Sequence, residues 1–190
     1  MGYPMAGHLA AAGHEVCVYN RTASKSNAWH EEFVLKNGKK AVPPGATPRE
    51  AVRDADIVFC CVGNDADLRS VVLGDDAGHD ARGTDGAFAG MKPGAIFVDH
   101  TTASASVARE LHAAAKSRGL AFIDAPVSGG QAGAQNGLLT VMCGGDQATF
   151  DAVRPTAMAF SRAFTLLGDS GAGQLAKMVR SEERRVGKEC

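Results

Sequence analysis

Short apolar runs alternate along this chain with stretches in which apolar residues recur every three or four positions. That is the rhythm of strands connected by helices, and it predicts an α/β fold with a mostly parallel sheet. The runs at 16–19, 57–62, 95–99, 121–124, 139–143 and 163–167 have strand length, and a shorter one lies at 40–42. Several are apolar almost throughout, as strands covered on both faces must be.

The helices carry their own punctuation. Thr47-Pro48-Arg49-Glu50 reads as a capping box, with a Thr cap, Pro at the first helical position and Glu three residues after the cap. Val107, Leu111, Ala114 and Ala115 form one apolar stripe on a helix that Gly119 can close in a left-handed turn. Residues 4–12 read as a helix ended by Gly13. Asp146 is expected to cap another that runs to about Arg154, with Phe150 and Val153 facing inward. Two stretches rich in Gly, Pro and Asp, 37–46 and 75–90, read as surface loops.

Composition narrows the function more than the fold. The chain has 190 residues, of which 45% are hydrophobic and 22% charged, the ordinary balance of a globular protein with a real core. Its formal net charge of −1 provides no field to recruit nucleic acid or an acidic membrane, and neither partner is expected. No apolar run is long enough to span a bilayer, and the start lacks the pattern of a signal peptide. Cysteines stand at 17, 60, 61, 143 and 190 with no C-x-x-C pair, so the expectation is reduced thiols in a cytoplasmic protein and no metal site.

The opening residues suggest chemistry. A dinucleotide-binding unit runs strand, G-x-G-x-x-G, then a helix whose N-terminus holds the pyrophosphate. Here Met1-Gly2-Tyr3-Pro4-Met5, a helix, Gly13 and a strand ending in Tyr19-Asn20-Arg21-Thr22 match such a unit from its third glycine onward. The fold expected is therefore Rossmann-type and doubly wound, lacking its first strand. A carboxylate at the end of the second strand would bond the ribose hydroxyls of NAD. Asn20 stands there instead, followed by Arg21 and Thr22, and a guanidinium suits a 2′-phosphate. The residues favour NADP and leave NAD open, since Asn-Arg-Thr is also good turn chemistry.

From Gly2 to Lys177 the order of motifs resembles the 3-hydroxyisobutyrate dehydrogenase-like (β-hydroxyacid dehydrogenase) family. The matching segments are Met1-Gly2-Tyr3-Pro4-Met5, Met91-Lys92-Pro93-Gly94, Val98-Asp99-His100-Thr101-Thr102, Asp124-Ala125-Pro126-Val127-Ser128-Gly129-Gly130, Gly144-Gly145 and Gly171-Ala172-Gly173-Gln174-Leu175-Ala176-Lys177. The resemblance implies reversible hydride transfer between nicotinamide and a small β-hydroxy acid or its semialdehyde. It gives Lys177 the part of general acid. Ser128, Gly129 and Gly130 become the clamp for the substrate carboxylate, and a hydroxyl with unhindered backbone N–H groups does make an anion-binding concavity. Thr102 would contact nicotinamide ribose or substrate, and Val62 and Gly63 the cofactor. Gly2, Tyr3, Pro4, Met5, Asn20, Arg21 and Thr22 would complete the cofactor site. Asp99 and Asp124 are expected to orient loops, and His100 to have a structural part.

The resemblance also divides the chain: 1–168 as the dinucleotide-binding domain, 169–179 as the start of an interdomain helix, and 180–190 as a non-native tail. Where the family carries Asn four residues beyond its lysine, this chain has Ser181, and Arg180 onward resembles a translated sequencing-adapter end. The family's helical substrate domain is thus expected to be absent and the parent enzyme a homo-oligomer. Three alternatives stay open: an imine reductase, although those typically replace the lysine; a phosphogluconate-type reductase; and a nucleotide-binding module without catalysis.

Overall fold

The computed structural model describes residues 1–35, 42–74 and 85–186. Three parallel strands, β1 (Ile57–Cys60), β2 (Ile96–Asp99) and β3 (Ala121–Asp124), lie in register, so that Cys60, Asp99 and Asp124 end side by side. Successive side chains on a strand point to opposite faces. Phe97 and Phe122 accordingly enter one core with Leu68, Val72, Val107 and Leu111. Their chain neighbours Val98 and Ile123 enter a second core with Met5, Leu9, Val141, Val153 and Phe160. Burial on both faces is why these strands read as unbroken apolar runs.

Helices cover each face. The first core is roofed by α3 (Pro48–Ala51), α4 (Asp65–Leu73), α5 (Ala87–Gly90) and α6 (Ala105–Lys116), numbered in chain order; the second by α1 (Gly2–Ala11), α7 (Gly130–Gln135) and α8 (Gln147–Ala157). Next to α1, α2 (Ala23–His30) and a π-helical turn, Glu31–Leu35, pack Trp29 and Phe33 against Ala10. The result is a doubly wound α/β domain of Rossmann type. Its caps follow the sequence: the Thr47 hydroxyl accepts from Glu50 N–H at 3.2 Å, and the Glu50 carboxylate accepts from Ala46 N–H at 3.0 Å. Gly119, with φ of +69°, closes α6.

Beyond β3 the sheet changes direction. β5 (Leu139–Gly145) runs antiparallel to β3, β4 (Val127–Ser128) antiparallel to β5, and β6 (Ser161–Leu166) parallel to β5. α9 (Ala172–Val186) then lies against β5 and β3.

Several elements differ from the sequence expectation. Residues 16–19 join no ladder among the described residues. No described strand lies between them and β1, so their peptide groups have no partner strand; Val18 C=O instead accepts from Gly45 N–H at 3.1 Å. The run 57–62 leaves the sheet after Cys60, because Val62 N–H turns to the Thr101 hydroxyl at 3.1 Å. The expected loop 75–90 ends in helix α5, held by burial of Ala87 and Phe88; its residues 75–84 lie outside the described residues. Most of the expected strand 40–42 and half of the expected loop 37–46 also lie outside them. Asp146 stands at the N-cap of α8 without a side-chain capping bond, and α8 continues through Pro155 to Ala157.

Candidate active site

The carboxyl ends of β1, β2 and β3 bring together most of the residues singled out in the sequence. Asp124, fully buried at the end of β3, accepts from Gly171 N–H at 2.6 Å on one oxygen and from Gln174 N–H at 3.0 Å on the other. It therefore holds the first turn of α9, where a carboxylate is favoured by the unpaired N–H groups and the helix dipole. Burial raises its pKa, and those N–H bonds oppose the shift. Glycines make the seat possible. A Cβ on Gly144 would lie 2.6 Å from the Asp124 carboxylate, and one on Gly173 would strike the Met142 carbonyl oxygen.

Seating α9 places Lys177. Its ammonium donates to the Val127 carbonyl at 2.9 Å, so it stands next to Ser128 on β4. The following Gly129 has φ of +133°, a conformation that side chains other than glycine's rarely adopt, and it turns the chain into α7. A cation, a half-buried hydroxyl and a glycine turn thus share one corner of the sheet.

Gln174, also fully buried, ties the same helix to the loop after β2. Its amide donates to Thr101 C=O at 2.7 Å and accepts from Ala103 N–H at 3.0 Å, which leaves Thr102 between them exposed. That loop is tied in turn to the one after β1. Thr101 accepts from Val62 N–H, and Asp65 takes both Ser104 N–H at 2.9 Å and the Ser104 hydroxyl at 2.5 Å, which lowers the Asp65 pKa. With its N–H so engaged, Val62 offers a ligand its carbonyl, and Gly63 beside it is exposed.

The N-terminus of α1 points to this edge as well. Gly2 lies against Cys61, with no acidic residue in the first turn of the ten-residue helix to oppose an anion. Pro4 is half-buried, whereas Met5 turns into the second core. Tyr3 turns the other way: its hydroxyl donates to Glu32 at 2.6 Å, a bond that pushes its pKa up to about 12. A cleft of about 1040 Å³ opens between α1 and α7 and touches Tyr3, Pro4, His8 and Gln131; Lys177, Ser128 and Thr102 stand outside it.

Asn20, Arg21 and Thr22 follow the unpaired extended run. The Asn20 side chain accepts from Thr22 N–H at 2.9 Å, a local turn that leaves Arg21 exposed and reaching Asp67 of α4 at 3.3 Å. This contact brings Arg21 to the carboxylate that lies over Gly63.

His100 takes a packing position. It is buried, stacked on Phe59 and edge-on to Phe160, and its Nδ1–H donates to Ala125 C=O at 2.6 Å. Burial lowers its pKa to about 4, so the ring is neutral. Sequence reasoning missed Gln174, Thr101, Asp65 and Asp67. Asn64 before Asp65-Ala66-Asp67 was a legible helix start, and the cap forms, with Asp67 N–H donating to Asn64 Oδ1 at 2.9 Å. Nothing in the sequence marked Gln174 as buried. Among the described residues no cluster of His, Cys, Asp and Glu could hold a metal ion, and the described cysteines are thiols, Cys60 and Cys143 buried, Cys17 and Cys61 half-buried.

Comparison with known proteins places the family and the fold. The family described as the NAD binding domain of 6-phosphogluconate dehydrogenase matches residues 1–168. An uncharacterized oxidoreductase of Shewanella frigidimarina is 58% identical over 179 residues, covering 94% of this chain and 56% of that protein. The Arabidopsis thaliana protein named "Probable 3-hydroxyisobutyrate dehydrogenase-like 2, mitochondrial" is 38% identical over 178 residues, 94% of this chain and 54% of its own length. Among solved structures, 3-hydroxyisobutyrate dehydrogenase of Mycobacterium tuberculosis with L-serine superposes with a TM-score of 0.78 at 32% identity, over 95% of this chain and 55% of that one. The chain spans about half the length of the curated relatives it matches.

Proposed function

We propose, from the premise that this chain belongs to the NAD-binding-domain family of 6-phosphogluconate dehydrogenase, that it is the cofactor half of an NADP-dependent β-hydroxyacid dehydrogenase. The reaction is hydride transfer between nicotinamide and the β-carbon of a small β-hydroxy acid or its semialdehyde. One observation carries the reading: Lys177 Nζ donates at 2.9 Å to the backbone carbonyl of Val127, the residue that precedes Ser128 and its glycine turn.

The nicotinamide, when bound, supplies or accepts the hydride. On reduction the carbonyl oxygen gains negative charge and needs a proton as it forms, and Lys177 gives it; on oxidation the same amine takes the hydroxyl proton back. The ammonium also stabilises the developing alkoxide. Ser128, Gly129 and Gly130 hold the substrate carboxylate, which is the same in substrate and product. Thr102, exposed between the two bonds from Gln174, reaches the nicotinamide ribose or substrate. The α1 N-terminus at Gly2 and Tyr3 would hold the pyrophosphate, with Val62 and Gly63 alongside, and Arg21 with Asn20 and Thr22 would meet the 2′-phosphate; Met5, turned into the second core, and Pro4, which has no N–H, shape that turn. L-serine, present in the M. tuberculosis structure, is a β-hydroxy acid and a suitable first probe.

No helix among the described residues is long and apolar enough to cross a membrane. With a net charge of −1, the reading is a cytoplasmic enzyme acting on small molecules, bound to neither nucleic acid nor membrane. The reading keeps a homo-oligomeric parent enzyme.

Steady-state kinetics on the full-length protein test the reading, with NADP⁺ or NAD⁺ and a panel of β-hydroxy acids. Turnover is expected with NADP⁺ preferred, and Ser128→Ala should raise KM with kcat nearly kept, because the carboxylate contact exists before and after hydride transfer. Cofactor binding without turnover on hydroxy acids, imines or sugar phosphates would leave a nucleotide-binding module.

A further inference from the structure

The guanidinium on which the NADP reading depends is already in contact with an anion. Arg21 Nη1 lies 3.3 Å from Asp67 Oδ1. The two side chains are unequal: Arg21 is 86% exposed and Asp67 32%. Asp67 is also pinned. Its second oxygen accepts from Asn64 Nδ2 at 3.1 Å, its N–H donates to Asn64 Oδ1 at 2.9 Å, and its carboxylate lies over Gly63, where a Cβ would come within 2.7 Å.

We propose that Asp67 is a specificity-determining residue, a built-in counter-anion that occupies Arg21 until a 2′-phosphate displaces it and so restrains the preference for NADPH over NADH. The inference rests on the reading of Arg21 as the phosphate partner. A fixed carboxylate stands at the glycine of the β1–α4 turn, within reach of the arginine that a phosphate must recruit. An exposed ion pair is weak and easily exchanged, whereas a doubly charged phosphate offers bidentate, charge-assisted bonds. Once Arg21 has moved to the phosphate, the carboxylate stays behind as a like charge. NADH brings no phosphate, so its binding does not depend on that exchange, and its ribose hydroxyls can donate to the Asp67 carboxylate.

The test is fluorescence titration of NADPH and NADH into the full-length protein and its Asp67→Asn and Arg21→Ala variants, at low and high salt. Asparagine keeps the side-chain shape and the backbone cap, so folding is not at issue; circular dichroism of each variant checks this. Asp67→Asn should tighten NADPH about three- to tenfold at low ionic strength, as removal of one unit charge near a phosphate does. NADH affinity should stay level or weaken slightly. The NADPH gain should shrink as salt screens the charges. If Arg21→Ala weakens NADPH while Asp67→Asn leaves both affinities unchanged, the inference about Asp67 is overturned and the phosphate reading stands. If Arg21→Ala leaves the ratio of the two affinities unchanged, the phosphate reading itself fails and takes the inference with it.

Discussion

Asp99 and Asp124 end neighbouring strands in register, both are buried, and they are satisfied very differently. Asp124 spends both oxygens on the N-terminus of α9, whereas Asp99 accepts from Thr101 N–H at 2.9 Å and its second oxygen has no hydrogen-bond partner among the described residues. Burial raises the Asp99 pKa to about 7, with Asp124 of β3 and Asp65 of α4 adding like charge and Thr101 opposing. The consequence for stability has a definite sign. A carboxyl whose pKa is higher in the folded state binds more protons there, so its contribution is full below its ordinary range near 4 and is lost as pH rises through about 7. Measured against Asp99→Asn, which holds the neutral shape, the parent's urea midpoint should therefore fall between about pH 4 and pH 7; the opposite slope from His100, whose lowered pKa favours the folded state as pH rises above about 4, is common to both proteins and cancels. An unchanged slope in the variant would assign the pH dependence to other groups. At this scale the sequence located both aspartates and gave them orienting parts. It could not separate them, because which one meets a helix N-terminus depends on a segment more than forty residues downstream.

The seat of α9 is an element-level device built from small residues. Gly144 and Gly173 leave room for the Asp124 carboxylate between β5 and the helix, and Gln174 locks the next turn to the β2 loop. Gly173→Ala should push α9 off this seat, costing about 1–3 kcal/mol as overpacking does. Its urea midpoint should drop, and substrate KM should rise as Lys177 moves; a variant with unaltered midpoint and KM would show that the seat is loose. Elements covered on both faces were legible in the sequence, since burial writes itself as an apolar run, and the α6 stripe and the Thr47 cap were equally plain. Strand direction was not. β5 reads like its parallel neighbours, but a short β4 and α7 return the chain beside β3 the opposite way. Residues 16–19 have strand composition and lack a ladder, which shows that pairing is a property of neighbours and not of the run itself.

For the whole molecule, two apolar cores clasp one sheet, and most of the motifs that suggested chemistry converge at the carboxyl ends of β1, β2 and β3, the edge where open α/β sheets bind ligands. That convergence was foreseeable from motif order, because successive parallel strands deliver their following loops to one edge. The linking bonds were not: Val62 to Thr101, Asp65 to Ser104 and Gln174 to Ala103 join loops far apart in sequence. They make the edge one connected surface, with Lys177 held beside Ser128 at its end. The central claim is that this lysine moves the proton. The most direct measurement is kcat for Lys177→Ala in the full-length protein, with NADPH affinity measured on the same preparation. A fall in kcat of roughly 10²–10⁴-fold is expected, with NADPH binding nearly intact. A variant that turns over at close to the parent rate would contradict it.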